Sequence, residues 1–517
     1  MNLTAFKSIY KSSWFLIICL ALLKLMVHLL TYDNFELHRD AYLYYAQSEH
    51  LAWGYVAVPP GIAFVGKIVT LLFGNSTFGL RLLPALVGSL NVLIIGMAVR
   101  EIGGKRRAIA LASLAYLLSP SYLHVNALFQ PVSFNHFFWL LTCYLVLKMI
   151  HRDNPRIWLW IGLTFGLGFL NKYAIVFLYA ALAPALLITR YRYLYASRYF
   201  WIATIIGLII ISPNLFWQYQ NNWPVLHHMA ELRESQLVHV KLTDFILEQF
   251  LMNMQAVLIW LGALFVILFL NKEKKFRLFG YTYLFVVALL MLGSGKSYYT
   301  LGIYPILFIL GAVFIEKYVG KYLTILTGVL VSFMMISLYV SLSFDGIPLT
   351  TFEKTLRPGA FRWEDGKYHD LPQDMADMTG WREVGQAVRT LYTSLPTDAK
   401  ADCEIFCYHY GQAGAVMFYG KEAHVPQPIS FNSSFVFWAP DSITCQKMIW
   451  VHSDLGNEID PDQLLPLFFG KVELYHEVNN PYFRENGTKI YLCEFPTDSC
   501  KVYYRNRIKE LKDNYRD

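Results

Sequence analysis

The stretch HRDAYLYYAQSEHLAWGYVAVPP, residues 38–60, decides how this chain is read. It follows the first long apolar run and places Asp40 beside Arg39 and His38. Four tyrosines and one tryptophan come next, and the stretch closes on Pro59-Pro60. Charged and aromatic groups gathered at a membrane boundary are costly and are retained where they have a function. Two readings fit these residues. One is an interfacial amphipathic helix with Tyr and Trp at headgroup level. The other is a catalytic loop carrying Asp40. The sequence on either side tips the balance towards the second.

Upstream, Lys7 and Lys11 precede an apolar run from Trp14 to Leu30 that is long enough to span a bilayer. No small-residue cleavage site follows it, so a retained first helix is expected, not a removed signal peptide. The positive-inside rule places residue 1 in the cytoplasm and His38 outside. Downstream, apolar runs recur near 80–99, 108–124, 133–149, 157–171, 173–189, 199–216, 253–270, 278–293, 300–315 and 322–343. The expected fold class is therefore a polytopic α-helical membrane protein with about 11 transmembrane helices. Alternate connections should then be cytoplasmic, and they are the basic ones: 100–107, 148–156, 190–198, 272–277 and 316–321. Composition agrees. Of 517 residues, 56% are apolar and only 16% charged, against about 25% charged in soluble domains. The net charge of +7 sits in these short loops, so it does not indicate nucleic acid.

Residues 1–344 form the expected membrane domain, and 345–517 a soluble extracytoplasmic domain. In the latter, apolar runs shorten and Pro, Gly, Asp and Asn punctuate them. Trp381–Leu395 has helical periodicity. Cys403–Gly420 reads as strand, glycine turn and helix, and Lys447–Ser453, Lys471–Val478 and Thr488–Phe495 as strands. A basic helical tail over Lys501–Lys512 completes an α/β or α+β unit. Cys403, Cys407, Cys445, Cys493 and Cys500 fall here, where an oxidising compartment would permit disulfides. This unit is expected to supply no catalytic group and either to help select or seat an acceptor or to act as a purely structural lid.

The polar residues expected on the outer side are few. Asp40 can act as a general base on a hydroxyl, or it can pair with Arg39 or cap a helix beginning at Ala41. Lys172 in GLGFLNKYAIVF either snorkels to the interface or meets an anion. Lys296 follows a Gly-Ser-Gly bend whose amides could help hold a phosphate. Arg81 opens the second span, and its plain reading is interface anchoring. Asn135 and His136 lie at the outer start of the fourth span, which Pro131 begins. His227 and His228 with Glu231 have poor metal spacing, so no metal is assigned; a divalent cation stays open. No Walker A, dinucleotide fingerprint, CxxC pair or HExxH occurs. Outside a bacterial cell there is no nucleotide triphosphate, so an external transferase needs a lipid-carried donor. A sugar on a polyprenyl phosphate meets that need. Its phosphate wants cations, and its acceptor hydroxyl wants a carboxylate.

These motifs carry a resemblance. HRDAYLYY, HLAWGYVAVPP, RLLPALVGSL at Arg81, GLGFLNKYA, SPNLFWQYQNNWP, GKSYYTLGIYP and YHYGQAGAVMFYG resemble bacterial GT-C glycosyltransferases of the protein O-mannosyltransferase-like group (glycosyltransferase family 39-like). More distantly they resemble the lipid A aminoarabinose transferase. The resemblance implies a GT-C fold in which Asp40 is catalytic. It also implies that Arg39, Lys172 and Lys296, at matching motif positions, hold the donor phosphate; His38, Tyr42, Arg81, Asn135, Tyr298 and Tyr299 complete the candidate substrate-binding set. The partners implied are membrane lipids, the lipid-linked donor, and a glycan, lipid or protein acceptor at the outer face of the inner membrane. The chain departs from the group at Ala41, where a Glu is usual, and at Ala57-Val58, where polar residues are usual. A lipid-linked glycan transporter or flippase is the alternative, and a membrane-anchored binding protein a third reading. Convergence of Asp40, Lys172 and Lys296 on one outward site would separate the three.

Overall fold

The structure, a computed structural model, describes residues 12–342, 349–453 and 460–515. Lys7, Lys11 and the expected boundary at residue 344 lie outside the described residues. Each of the eleven expected spans falls on a helix: Ser13–Leu30, Thr77–Glu101, Arg106–Leu117, Pro131–Arg152, Trp158–Asn171, Ile175–Leu187, Arg198–Gln220, Val257–Phe269, Arg277–Leu292, Tyr304–Tyr318 and Leu323–Ser341. By length and composition, 7 of the described helices can cross a membrane alone, or up to 9 if two bent pairs are each one span. The shortfall from eleven is one of length. Arg106–Leu117 has 12 residues and Trp158–Asn171 has 14, while a straight span needs about 20.

The helices pack both on sequence neighbours and across the chain, with Arg106–Leu117 against Tyr304–Tyr318 and Ile175–Leu187 against Arg277–Leu292. Ser13–Leu30 lies on Thr77–Glu101, which lies on Pro131–Arg152, and Trp158–Asn171 pairs with Arg198–Gln220. Lys24, buried within the first helix, donates to the Tyr122 carbonyl at 3.0 Å and sits over the Tyr116 ring. Its ammonium thus faces protein polar and aromatic groups and not the apolar surroundings.

Beyond residue 349, six strands form among the described residues. β1 (Phe361–Arg362) and β2 (Tyr368–His369) make a short hairpin. β3 (Cys403–Cys407), β4 (Lys447–His452), β5 (Phe469–Glu477) and β6 (Lys489–Pro496) make a sheet of order β3-β4-β6-β5. β3 and β4 run parallel, and the other pairs antiparallel. The expected helices appear as Trp381–Ser394, Tyr410–Gly420 and Asp498–Asp513. All seven cysteines of the chain are unpaired, and the five beyond residue 400 are buried.

The segment after Leu37 is neither a loop nor an interfacial helix. Arg39–Glu49 is an α-helix whose residues Ala41 to Ser48 are all buried. His38 is its N-cap, accepting the Asp40 N–H at Nδ1 (3.1 Å). Its tyrosines face protein because the Trp381–Ser394 and Tyr410–Gly420 helices cover them: Tyr42, Tyr45, Trp381 and Phe418 share one hydrophobic core. Burying each such side chain contributes on the order of 1.5–3 kcal/mol, so the joint is held firmly. It is also close. A Cβ added at Gly414 would lie 2.6 Å from the Tyr42 backbone carbonyl. Gly→Ala in an exposed helix gains up to about 1 kcal/mol, but overpacking here costs about 1–3 kcal/mol. Gly414→Ala is therefore expected to lower the thermal midpoint of the purified protein, and a raised midpoint would contradict this packing.

Candidate active site

The Arg39–Glu49 helix brings Asp40 to its first turn, where a carboxylate is favoured by the helix dipole. Asp40 Oδ1 accepts a hydrogen bond from the Tyr410 hydroxyl at 2.7 Å. Arg39 Nε lies 3.8 Å from the same oxygen, and His38 Nδ1 3.9 Å from Oδ2. Burial opposes the charge on Asp40, but His38, Arg39 and the Tyr410 hydroxyl outweigh it and hold the carboxyl below its ordinary range. Arg39 itself lies over the Tyr410 ring, 5.4 Å from its centroid, and 3.9 Å from Asp377.

Asp374 and Asp377 come from the turn that seats this helix. The carbonyls of Asp377 and Met378 accept the N–H groups of Arg39 and Glu36, both at 2.9 Å. Fully buried Asp377 also meets Arg484 at 3.1 Å. His38 Nε2 lies 3.7 Å from both Asp374 and Asp377. Among the described residues, these three side chains are close enough to hold a metal ion. The donor set does not fit one. His38 Nδ1 accepts the Asp40 N–H, which leaves the proton on Nε2, the atom a metal would need. Asp377 already faces two arginines, and Asp374 faces His124 at 2.9 Å. The group is an ion-paired brace. His227, His228 and Glu231 form no such cluster among the described residues.

Lys172 follows the Trp158–Asn171 helix, with its ammonium 5.6 Å from the Tyr298 ring centroid and 5.1 Å from that of Tyr299. It interacts electrostatically with both Lys296 and Asp40. No carboxylate among the described residues lies within ion-pair distance of it. Tyr44 feels both Asp40 and Tyr299. The structure thus brings Asp40, Arg39, Lys172, Lys296, Tyr298 and Tyr299 into one neighbourhood.

Several expected residues are already engaged by partners of their own. Lys296 is paired with Glu364 of the β1–β2 hairpin and donates to Gln236 at 2.8 Å. The amides of the bend before it do not face a ligand: Ser294 and Gly295 donate to the Met291 and Leu290 carbonyls and close the helix end. Arg81 donates to the carbonyls of Tyr32 and Glu36, bracing the first outer connection. The Tyr42 hydroxyl meets that of Tyr419 at 3.0 Å inside the core. Asn135 and His136 are buried on the Pro131–Arg152 helix, and His136 feels the charge of Lys172. Sequence reasoning missed Tyr410, Glu364, Asp374 and Asp377. For Tyr410 a signal existed, because it lies in the quoted segment YHYGQAGAVMFYG.

The family described as dolichyl-phosphate-mannose-protein mannosyltransferase matches residues 57–217. The lipid A galacturonosyltransferase RgtD of Rhizobium johnstonii is 27% identical over 207 residues, which are 40% of this chain and 43% of that protein. The match thus spans less than half of that relative. Crystal structures of ArnT from Cupriavidus metallidurans, bound to undecaprenyl phosphate and in the apo state, superpose with a TM-score of 0.64 at 14% and 13% identity. Each superposition covers 92% of this chain and 97% of the other. The chain shares their fold.

Proposed function

We propose that this multi-pass membrane protein of GT-C fold is a glycosyltransferase. It moves a sugar from a polyprenyl-phosphate donor to an acceptor hydroxyl at the outer face of the cytoplasmic membrane. The observation that carries the reading is a carboxylate, Asp40, held ionised by His38, Arg39 and the Tyr410 hydroxyl, in the same neighbourhood as Lys172, which lies over the Tyr298 and Tyr299 rings and has no carboxylate within ion-pair distance among the described residues. Such a pair suits the two ends of the reaction. The cation stabilises the phosphate as its bond to C1 breaks, and the carboxylate takes the proton of the attacking hydroxyl. Tyr298 and Tyr299 flank the phosphate side, and Arg39 orients Asp40.

The reading is supported by the mannosyltransferase family match and by RgtD, whose name gives lipid A as its substrate. The fold shared with an ArnT crystallised with undecaprenyl phosphate agrees with it. A glycolipid is accordingly the first acceptor to test. The outward orientation is supported by the basic connections on the opposite side. Membranes containing the protein, given a panel of radiolabelled polyprenyl-phosphate sugars, are expected to transfer label from one donor to a lipid or glycan fraction. Movement of intact donor across the bilayer without transfer would favour a flippase.

A further inference from the structure

We propose that Tyr410 is a positioning residue for Asp40: its hydroxyl fixes Oδ1 and thereby turns Oδ2 towards the acceptor. The inference rests on the glycosyltransferase reading, with Asp40 as the base. Tyr410 donates to Oδ1 at 2.7 Å, whereas Oδ2 has no hydrogen bond among the described residues. In the reaction the acceptor O–H proton passes to Oδ2 as the acceptor oxygen bonds C1. The C1–O bond to phosphate breaks, and the lipid phosphate leaves as the anion. Tyr410 keeps its proton throughout.

The phenol is rigidly placed. His409 caps the Tyr410–Gly420 helix by accepting the Gly411 N–H at 3.1 Å, and Gln412 accepts the His409 N–H at 3.3 Å. The His409 ring lies 4.0 Å from that of Tyr410. A Cβ at Gly411 would meet the Arg39 side chain at 2.8 Å, so the start of the Tyr410–Gly420 helix lies directly against Arg39. A donor fixed in this way gives a carboxylate one orientation without reorganisation during the reaction.

A pH profile separates this role from packing. The groups facing Asp40 are His38, Arg39 and Tyr44 of its own segment, with Tyr410, His409, Asp374, Lys172 and His228 from elsewhere. Losing the phenol removes a hydrogen bond to the charged form, so the acid limb of transfer should move to higher pH by roughly half to one unit. Tyr410→Phe is expected to show that shift, with a single-turnover rate reduced about tenfold or more and donor affinity unchanged. If Tyr410→Phe lowers thermal stability, 3-fluorotyrosine at position 410 keeps the shape and makes the phenol more acidic. The acid limb should then move to lower pH. An acid limb that stays in place in both variants overturns the proposal. Asp40→Asn, measured alongside, distinguishes the failures. Wild-type transfer by Asp40→Asn refutes the base assignment itself, while its loss with unshifted Tyr410 variants refutes only the role of Tyr410.

Discussion

Asp40→Asn is expected to lower single-turnover sugar transfer by on the order of a hundredfold or more, with donor affinity nearly unchanged. Asparagine keeps the size of the side chain and can still accept from Tyr410, so the joint with the Tyr410–Gly420 helix should survive. It cannot take a proton at neutral pH. General-base contributions of about 10²–10⁴-fold set the scale. The measurement is donor binding and single-turnover transfer on the same purified variant. Transfer at the wild-type rate would leave Asp40 as an ion-pair partner of Arg39 and make Glu36 or Glu49 the next candidate. The structure already gives both of those other work. Glu36 accepts the Arg382 N–H at 2.9 Å, and Glu49 pairs with Lys67 and Lys421 at 3.2 and 2.6 Å.

Lys172→Ala should act on binding as well as on rate, because the donor phosphate is anionic before the reaction begins. A charge-assisted hydrogen bond is worth about 1.5–3 kcal/mol, so donor affinity should fall roughly tenfold to hundredfold. Lys296→Ala is expected to do less, since Glu364 already pairs with Lys296 and an incoming phosphate must compete with it. Burial opposes the charge on Glu364, but Lys296 and Gln373 hold it below the ordinary carboxylate range. Titrating polyprenyl phosphate into the wild type and the two variants orders their affinities. A larger loss at Lys296 than at Lys172 would place the phosphate against the hairpin instead.

The transmembrane runs were legible because length and hydropathy are local properties. All eleven expected spans fall on helices, and the strands at Lys447, Lys471 and Thr488 fall on β4, β5 and β6. What could not be read was which surfaces meet. The tyrosines after Asp40 look interfacial until the Trp381–Ser394 and Tyr410–Gly420 helices are laid over them. Lys296 looks like a free cation because its partner Glu364 is 68 residues away. Asp377 gives no sign in DMADMTG that it will anchor the start of the Arg39–Glu49 helix. Tyr410 stood inside a quoted segment, yet a phenol carries no acid–base signature of its own.

The hydrogen bond from Tyr410 to Asp40 joins residues 370 positions apart. At translation rates of about 5–20 residues per second, the second partner is made roughly 20–70 s after the first. Throughout that interval the Tyr410–Gly420 helix that covers Tyr42 and Tyr45 has not yet been made. The site is thus completed last, by the late-made part of the chain. A ribosome that stalls before residue 400 would leave a product that carries Asp40 but lacks the Tyr410 hydroxyl that bonds it.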